Sequence, residues 1–233
     1  MTIKEQAKSF YLNSYDFGVF DTSTSTYKNY MHSLKDIYDE NLKDGFFFQE
    51  KYPHSKDLRP LAFEYDDSFI EILFENGIDN YISDVIGVNM QLSHIQIRVA
   101  YPYPDGKSSS QEWHRDTYGY DGNFVGAFPP PVKLIFYPRF DNIPEPVLAC
   151  VPNSSLTMQY NREADMSQVV GERIRTIQNS NDQFIIFNTS MLHSTLAVKE
   201  KNIRIIYIFN YEHSLDIPAK RCQDIWNGKI EER

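Results

Sequence analysis

Apolar positions recur at helical spacing in the first third of the chain and at strand spacing beyond it. Ser23-Thr24-Ser25-Thr26 supplies N-cap residues ahead of residues 27–42, where Tyr30, Met31, Leu34, Ile37, Tyr38 and Leu42 fall on one helical face, with Gly45 as a stop. A second helical run opens at Asp66-Asp67-Ser68 and carries Phe69, Ile70, Leu73, Ile78, Tyr81, Ile82, Val85 and Ile86, with a break near Gly77. From residue 90 the period shortens to two. His94-Ile95-Gln96-Ile97-Arg98-Val99 alternates strictly, and strands are expected at 132–137, 147–151, 173–177, 183–188 and 203–211. Short strands punctuated by Pro, Gly, Asn and Asp predict a β-sandwich or barrel with helices on its outer face. Residues 217–233 are expected to form a short surface helix. No repeat or linker divides the chain, so one domain is expected over 1–233: a helical flank at 1–90, a β core at 91–215 and a tail at 216–233.

Composition sharpens this picture. Sixteen Phe, 16 Tyr and 2 Trp make the chain 15% aromatic, which suits pleated, half-buried surfaces. The net charge of −9 disfavours a nucleic-acid partner, since a phosphate-backbone binder carries the opposite sign. No apolar run reaches the roughly 20 residues of a bilayer span, and the first residues lack the apolar core of a signal peptide. Two cysteines, Cys150 and Cys222, support neither a disulfide framework nor a four-thiolate zinc site. A cytoplasmic protein with no membrane partner is expected.

Three stretches carry chemistry. In Trp113-His114-Arg115-Asp116, extended backbone puts His114 and Asp116 on the same side, so an imidazole nitrogen and a carboxylate oxygen can meet on one ion. Together they offer two members of a two-histidine, one-carboxylate facial triad, a set suited to iron(II). His193 follows the apolar stretch Phe184-Ile185-Ile186-Phe187 and can supply the missing imidazole. Arg204 lies within Ile203-Arg204-Ile205-Ile206-Tyr207-Ile208-Phe209, a strand apolar on both faces and hence covered on both. A buried guanidinium requires a partner: either a protein carboxylate answers it or an anionic ligand does.

In that order, His114-x-Asp116, His193 and Arg204 resemble the iron(II)/2-oxoglutarate-dependent oxygenases, and within them the phytanoyl-CoA dioxygenase-like superfamily. The resemblance extends to Trp113 before the first histidine and to Asp182-Gln183-Phe184-Ile185-Ile186-Phe187 before the distal one. Val151-Pro152-Asn153-Ser154-Ser155 stands where that family often has a Pro-Gly-Ser-His turn, here without the Gly and the His. The resemblance implies a double-stranded β-helix, a cupin-like jelly-roll, with the helical region packed outside it. It implies that His114, Asp116 and His193 hold Fe(II), and that Arg204 pairs with the distal carboxylate of 2-oxoglutarate. It also implies that O2 and 2-oxoglutarate are consumed while succinate and CO2 are released. Related halogenases replace the carboxylate ligand with a small residue, so Asp116 implies a hydroxylase rather than a halogenase, acting on a small metabolite or natural-product intermediate.

Weaker candidates surround this core. Gln96 and Arg98 share a strand face and would meet cosubstrate and substrate if that face looks inward; an outward polar face is the alternative. Lys133 alternates with Ile135 in the same manner. Tyr118, near the His114 loop, is a candidate for lining a substrate pocket, as are Tyr101, Tyr103 and Tyr120, although packing accounts for each of these tyrosines singly. His94 and His213 have no ligand spacing. The rival reading is a non-redox cupin-like protein, a metal or sugar binder or an isomerase, which needs no Arg204. The sequence sets neither the substrate nor the oligomeric state.

Overall fold

The computed structural model describes residues 2–41, 49–52, 55–58, 68–102, 112–116, 131–138, 145–157, 162–178, 182–198 and 204–213. Helix α1 (Ile3–Asn13) opens with a reciprocal cap: the Thr2 hydroxyl accepts the Glu5 N–H while the Glu5 carboxylate accepts the Thr2 N–H. Strand β1 (Tyr15–Val19) follows directly. Helix α2 (Ser25–Asn41) starts where the Thr24 hydroxyl accepts the Tyr27 N–H at 3.0 Å. A hairpin of β2 (Gln49–Tyr52) and β3 (Ser55–Leu58) comes next. Helices α3 (Ser68–Glu75) and α4 (Ile78–Ile86) are separated at Gly77, whose φ of 60° stops one helix and lets the next begin at a new angle. The expected stop at Gly45 and the tail helix at 217–233 lie outside the described residues.

The strands then run β4 (Met90–Ala100), β5 (Val132–Phe136), β6 (Pro146–Cys150), β7 (Arg175–Gln178), β8 (Gln183–Asn188), β9 (His193–Thr195) and β10 (Arg204–His213), with a short helix α5 (Arg162–Met166) between β6 and β7. Among the described residues they form a seven-stranded antiparallel sheet, ordered β1-β8-β5-β10-β4-β3-β2, and a three-stranded sheet, β7-β6-β9. This is a jelly-roll-like arrangement of mostly antiparallel strands with few helices.

Side-chain alternation sorts the large sheet into two faces. On one, Ile205, Tyr207, Phe209 and Tyr211 of β10 join Val132, Leu134, Phe136, Phe184 and Ile186 beneath the helices, against Phe10, Tyr30, Ile72, Leu73, Ile82 and Val85. On the other, Ile206 and Ile208 join Ile135, Ile185 and Phe187 and pack against Val147, Leu148, Cys150 and Ile177 of the small sheet. Each such fully buried aliphatic or aromatic side chain contributes about 1.5–3 kcal/mol. The helices therefore cover the outer face of the sheet, and the second face, enclosed between the sheets, is where chemistry can be sheltered.

The region expected as a helical flank, 1–90, carries four helices and also three strands among its described residues. Strand β1 forms one edge of the large sheet, and β2 and β3 extend its other end. Strand β1 reverses the usual pattern, burying Asp16 and Gly18 while half exposing Phe17 and exposing Val19. A Cβ at position 18 would lie 2.0 Å from the Phe184 ring, so glycine alone lets β1 approach.

Candidate metal centre

His114, Asp116 and His193 converge at the end of the inter-sheet space. Each offers a ligand atom, and the three atoms lie within 4.8 Å of one another. The backbone brings them together. His114 and His193 exchange both N–H···O bonds at 3.0 Å in an isolated antiparallel bridge, and the Asp116 N–H donates to the Thr189 carbonyl at 3.0 Å. The imidazole rings stand 4.3 Å apart, and His193 also packs edge-on against Phe187.

Each ring is oriented through its other nitrogen. His114 Nδ1 lies 2.7 Å from the Glu112 carbonyl and His193 Nδ1 lies 2.9 Å from the Met191 carbonyl, which places the proton on Nδ1 and leaves Nε2 as the donor atom. Both Nε2 atoms are 3.5 Å from Asp116, one from each carboxylate oxygen. Two neutral imidazole nitrogens and one carboxylate oxygen on one side of an ion form the facial set that fits iron(II).

Lys133 adds a cation that the ligand set does not require. Its Nζ donates to Asp116 Oδ2 at 2.8 Å. Burial alone would raise the Asp116 carboxyl, but the Lys133 ammonium and then the two histidines outweigh it and hold it well below the usual carboxylate range. Burial pushes the His193 imidazole down to about 4, further than Asp116 lifts it. In the unfolded chain that imidazole titrates near 6.5.

Between about pH 6.5 and about pH 4 the unfolded chain therefore binds a proton that the folded protein does not. The stability of the metal-free protein should fall with pH across this window, by about 3 kcal/mol from this group. Urea midpoints measured in chelator should fall less steeply with pH for His193→Gln than for the wild type; equal slopes would show that His193 is not held neutral by the fold.

Arg204 is 3% exposed and already answered within the protein. Nε donates to Glu145 Oε1 at 3.0 Å, Nη1 to the Leu196 carbonyl at 2.6 Å, and Nη2 to the carbonyls of Pro146 at 3.2 Å and Ala197 at 3.5 Å. Of the two partners its burial demanded, the structure supplies the protein carboxylate. Both edges of the fork are occupied, a feature the sequence did not disclose, because Glu145 lies 59 residues away. Gln96 and Arg98 are buried, at 3% and 8% exposure, on the strand face that alternates away from the helices, so the inward alternative holds. Tyr137 stands near both arginines: burial pushes its hydroxyl up to about 12 against the pull of Arg204 and Arg98. Tyr101 packs against the helix-side core. Tyr118, Tyr103 and Tyr120 lie outside the described residues. His213 ends β10 half-buried, and it is not among the residues that converge with Asp116.

The turn after β6 explains how Asn153 stands where the oxygenase pattern has glycine. Its φ is 64°, the left-handed region that glycine enters freely and asparagine tolerates.

No family model and no curated protein matches the sequence. Solved structures match it in fold. AviO1 from Streptomyces viridochromogenes Tue57 superposes with a TM-score of 0.68 at 11% identity, over 94% of this chain and 98% of its own. The non-heme alpha ketoglutarate-dependent epimerase SnoN from nogalamycin biosynthesis gives 0.66 at 9% identity, over 91% and 83%. HygX from Streptomyces hygroscopicus, solved with nickel and 2-oxoglutarate bound, gives 0.62 at 10% identity, over 92% and 88%. The chain thus has the fold of non-heme enzymes that use iron and 2-oxoglutarate, and it carries a His-Asp-His cluster compatible with an iron(II) site. No helix among the described residues is long and apolar enough to cross a membrane.

Proposed function

We propose that the chain is a single-domain Fe(II)/2-oxoglutarate-dependent oxygenase that hydroxylates a small metabolite or natural-product intermediate. The observation that carries this reading is the convergence of two Nε2 atoms and one carboxylate, each oriented by the backbone, on one point at the end of the inter-sheet space. His114, Asp116 and His193 would hold the metal. Bound there with 2-oxoglutarate and oxygen, iron would supply oxidation of a substrate C–H bond with release of succinate and CO2.

The chain's own residues prepare the site. Lys133 keeps Asp116 ionised and fixed. Once a metal answers Asp116, the ammonium is available to an anionic group of cosubstrate or substrate. Arg204, Arg98 and Gln96 are buried and Tyr137 stands near both arginines; in this reading they would provide the place for the distal carboxylate. Asp116 fills the carboxylate position and favours hydroxylation over halogenation. A net charge of −9 favours a small substrate over a polyphosphate-bearing thioester. HygX has been solved with hygromycin B bound beside nickel and 2-oxoglutarate, which supports a small-molecule substrate for this fold.

The Arg204–Glu145 pair favours a second reading, a metal-binding cupin-like protein or isomerase without a dicarboxylate site. Anaerobically iron-loaded protein, given 2-oxoglutarate and oxygen, separates the two. The oxygenase should release succinate slowly even without substrate and faster with an accepted one. Iron binding with neither 2-oxoglutarate binding nor succinate release would establish the second reading.

A further inference from the structure

Arg115 is the residue between two candidate ligands, and its side chain turns the other way, into the protein. It is 2% exposed and forks onto Asp165 of α5, itself fully buried: Nε to Oδ2 is 2.5 Å and Nη2 to Oδ1 is 2.6 Å. Nη1 donates to the carbonyls of Ser154, at 2.8 Å, and Ser190. Gln168 Nε2 adds a bond to Asp165 Oδ1 at 2.8 Å. One guanidinium thus joins the ligand-bearing segment, the turn after β6, α5 and the turn between β8 and β9.

Both carbonyls stand one step from a ligand's own support. Ser190 follows Thr189, whose carbonyl receives the Asp116 N–H. Ser154 receives, on its hydroxyl, the N–H of Leu192, the residue before His193, at 2.8 Å. The turn that positions His193 and the segment that carries His114 and Asp116 are therefore held against the same planar group. Stability alone does not account for this choice, because a well-packed apolar pair often replaces a buried ion pair without loss. A guanidinium fork adds direction, since its donors are fixed in one plane and bind a carboxylate and carbonyls at set angles.

We propose that the Arg115–Asp165 pair is the positioning element of the metal centre, setting the placement of Asp116 relative to His193. The proposal rests on those residues being metal ligands, and it assigns Arg115 and Asp165 no contact with metal or substrate. Outer partners of this kind typically change metal affinity by about 10- to 100-fold.

The test is titration of the full chain with cobalt(II), whose visible bands report ligand number and geometry, alongside melting curves. Arg115→Lys keeps the charge facing Asp165 but cannot reach both carbonyls, and Asp165→Asn keeps the shape but loses the fork's charge. Each folded variant should bind cobalt about 10- to 100-fold more weakly than the wild type, with shifted bands, whatever happens to its melting temperature. Folded variants with lower melting temperatures but wild-type cobalt affinity and bands would overturn the positioning role. Failure of both variants to fold would also overturn it, by assigning the pair to the fold. A wild-type chain that binds no cobalt would remove the metal centre itself, a result distinct from either.

Discussion

Asp116→Ala will abolish iron- and 2-oxoglutarate-dependent succinate release and weaken metal binding by more than about 100-fold, the upper end of what losing an outer partner costs. Asp116 is the point on which the other groups converge: both imidazoles lie 3.5 Å from it and Lys133 lies 2.8 Å from it. Removing the carboxylate leaves two neutral donors facing a partly buried ammonium, which repels an incoming cation instead of neutralising its own counter-ion. His114→Ala and His193→Ala should be equally damaging, because each leaves an incomplete facial set. His213→Ala is the control. Metal titrations of the four variants decide the assignment; wild-type turnover by Asp116→Ala, or a larger loss from His213→Ala than from His193→Ala, would show that the cluster is not the metal centre.

The second large effect concerns Arg204 and Glu145, and its sign separates the two functional readings. If Arg204 receives the distal carboxylate, Arg204→Ala should weaken 2-oxoglutarate binding about 30- to 1000-fold with little change in metal affinity. Arg204→Lys should fall between the two. Arg204→Ala also removes a cation bonded to the buried Glu145, so part of its loss could be misfolding. Glu145→Gln avoids that problem. Glutamine still accepts the Arg204 Nε–H, but the charge that competes with the cosubstrate is gone, and 2-oxoglutarate should bind about tenfold more tightly. A purely structural pair gives the opposite pattern: a lower melting temperature and no change in 2-oxoglutarate binding. Melting curves with and without 2-oxoglutarate read both quantities in one experiment.

What the sequence disclosed followed from periodicity. The helix at 78–86 was legible because Ile78, Ile82, Val85 and Ile86 bury one face and so recur at helical spacing, the helix at 25–41 because its apolar residues recur in the same way, and the strand at 183–188 as a short apolar run buried on both faces. Strand β1 was illegible because it inverts that rule, with Asp16 inside and Phe17 and Val19 outside, and the β2–β3 hairpin because Gln49-Glu50-Lys51-Tyr52 has no apolar period at all. His114 and Asp116 were legible through local alternation. His193 was recognised by order along the chain, and its closeness to His114 is made by a backbone bridge that no local pattern encodes. Arg115 carried an unread signal: if its two neighbours turn toward a metal, an intervening arginine must turn inward and needs a counter-ion. Which acid answers it depends on tertiary packing, since Asp165 lies 50 residues on in a helix of five residues.

Strand β1 pairs in register with β8, Tyr15 opposite Phe187 and Val19 opposite Gln183, so two neighbours in the sheet stand about 170 residues apart in the chain. Ribosomes add about 5–20 residues per second, so the first partner waits roughly 10–30 s for the second to be made. During that interval a partly apolar segment is without its template, and the His114-Asp116-His193 cluster is not yet complete. Contacts this distant also slow the search for the folded state. The carboxylate of Asp16, unpaired at Oδ2 and buried only after β1 docks, discourages that segment from pairing with a strand from another copy while it waits. Its price is a charge enclosed beside the helices, where burial raises its pKa, so that the residue that guards the nascent chain weakens the finished one slightly.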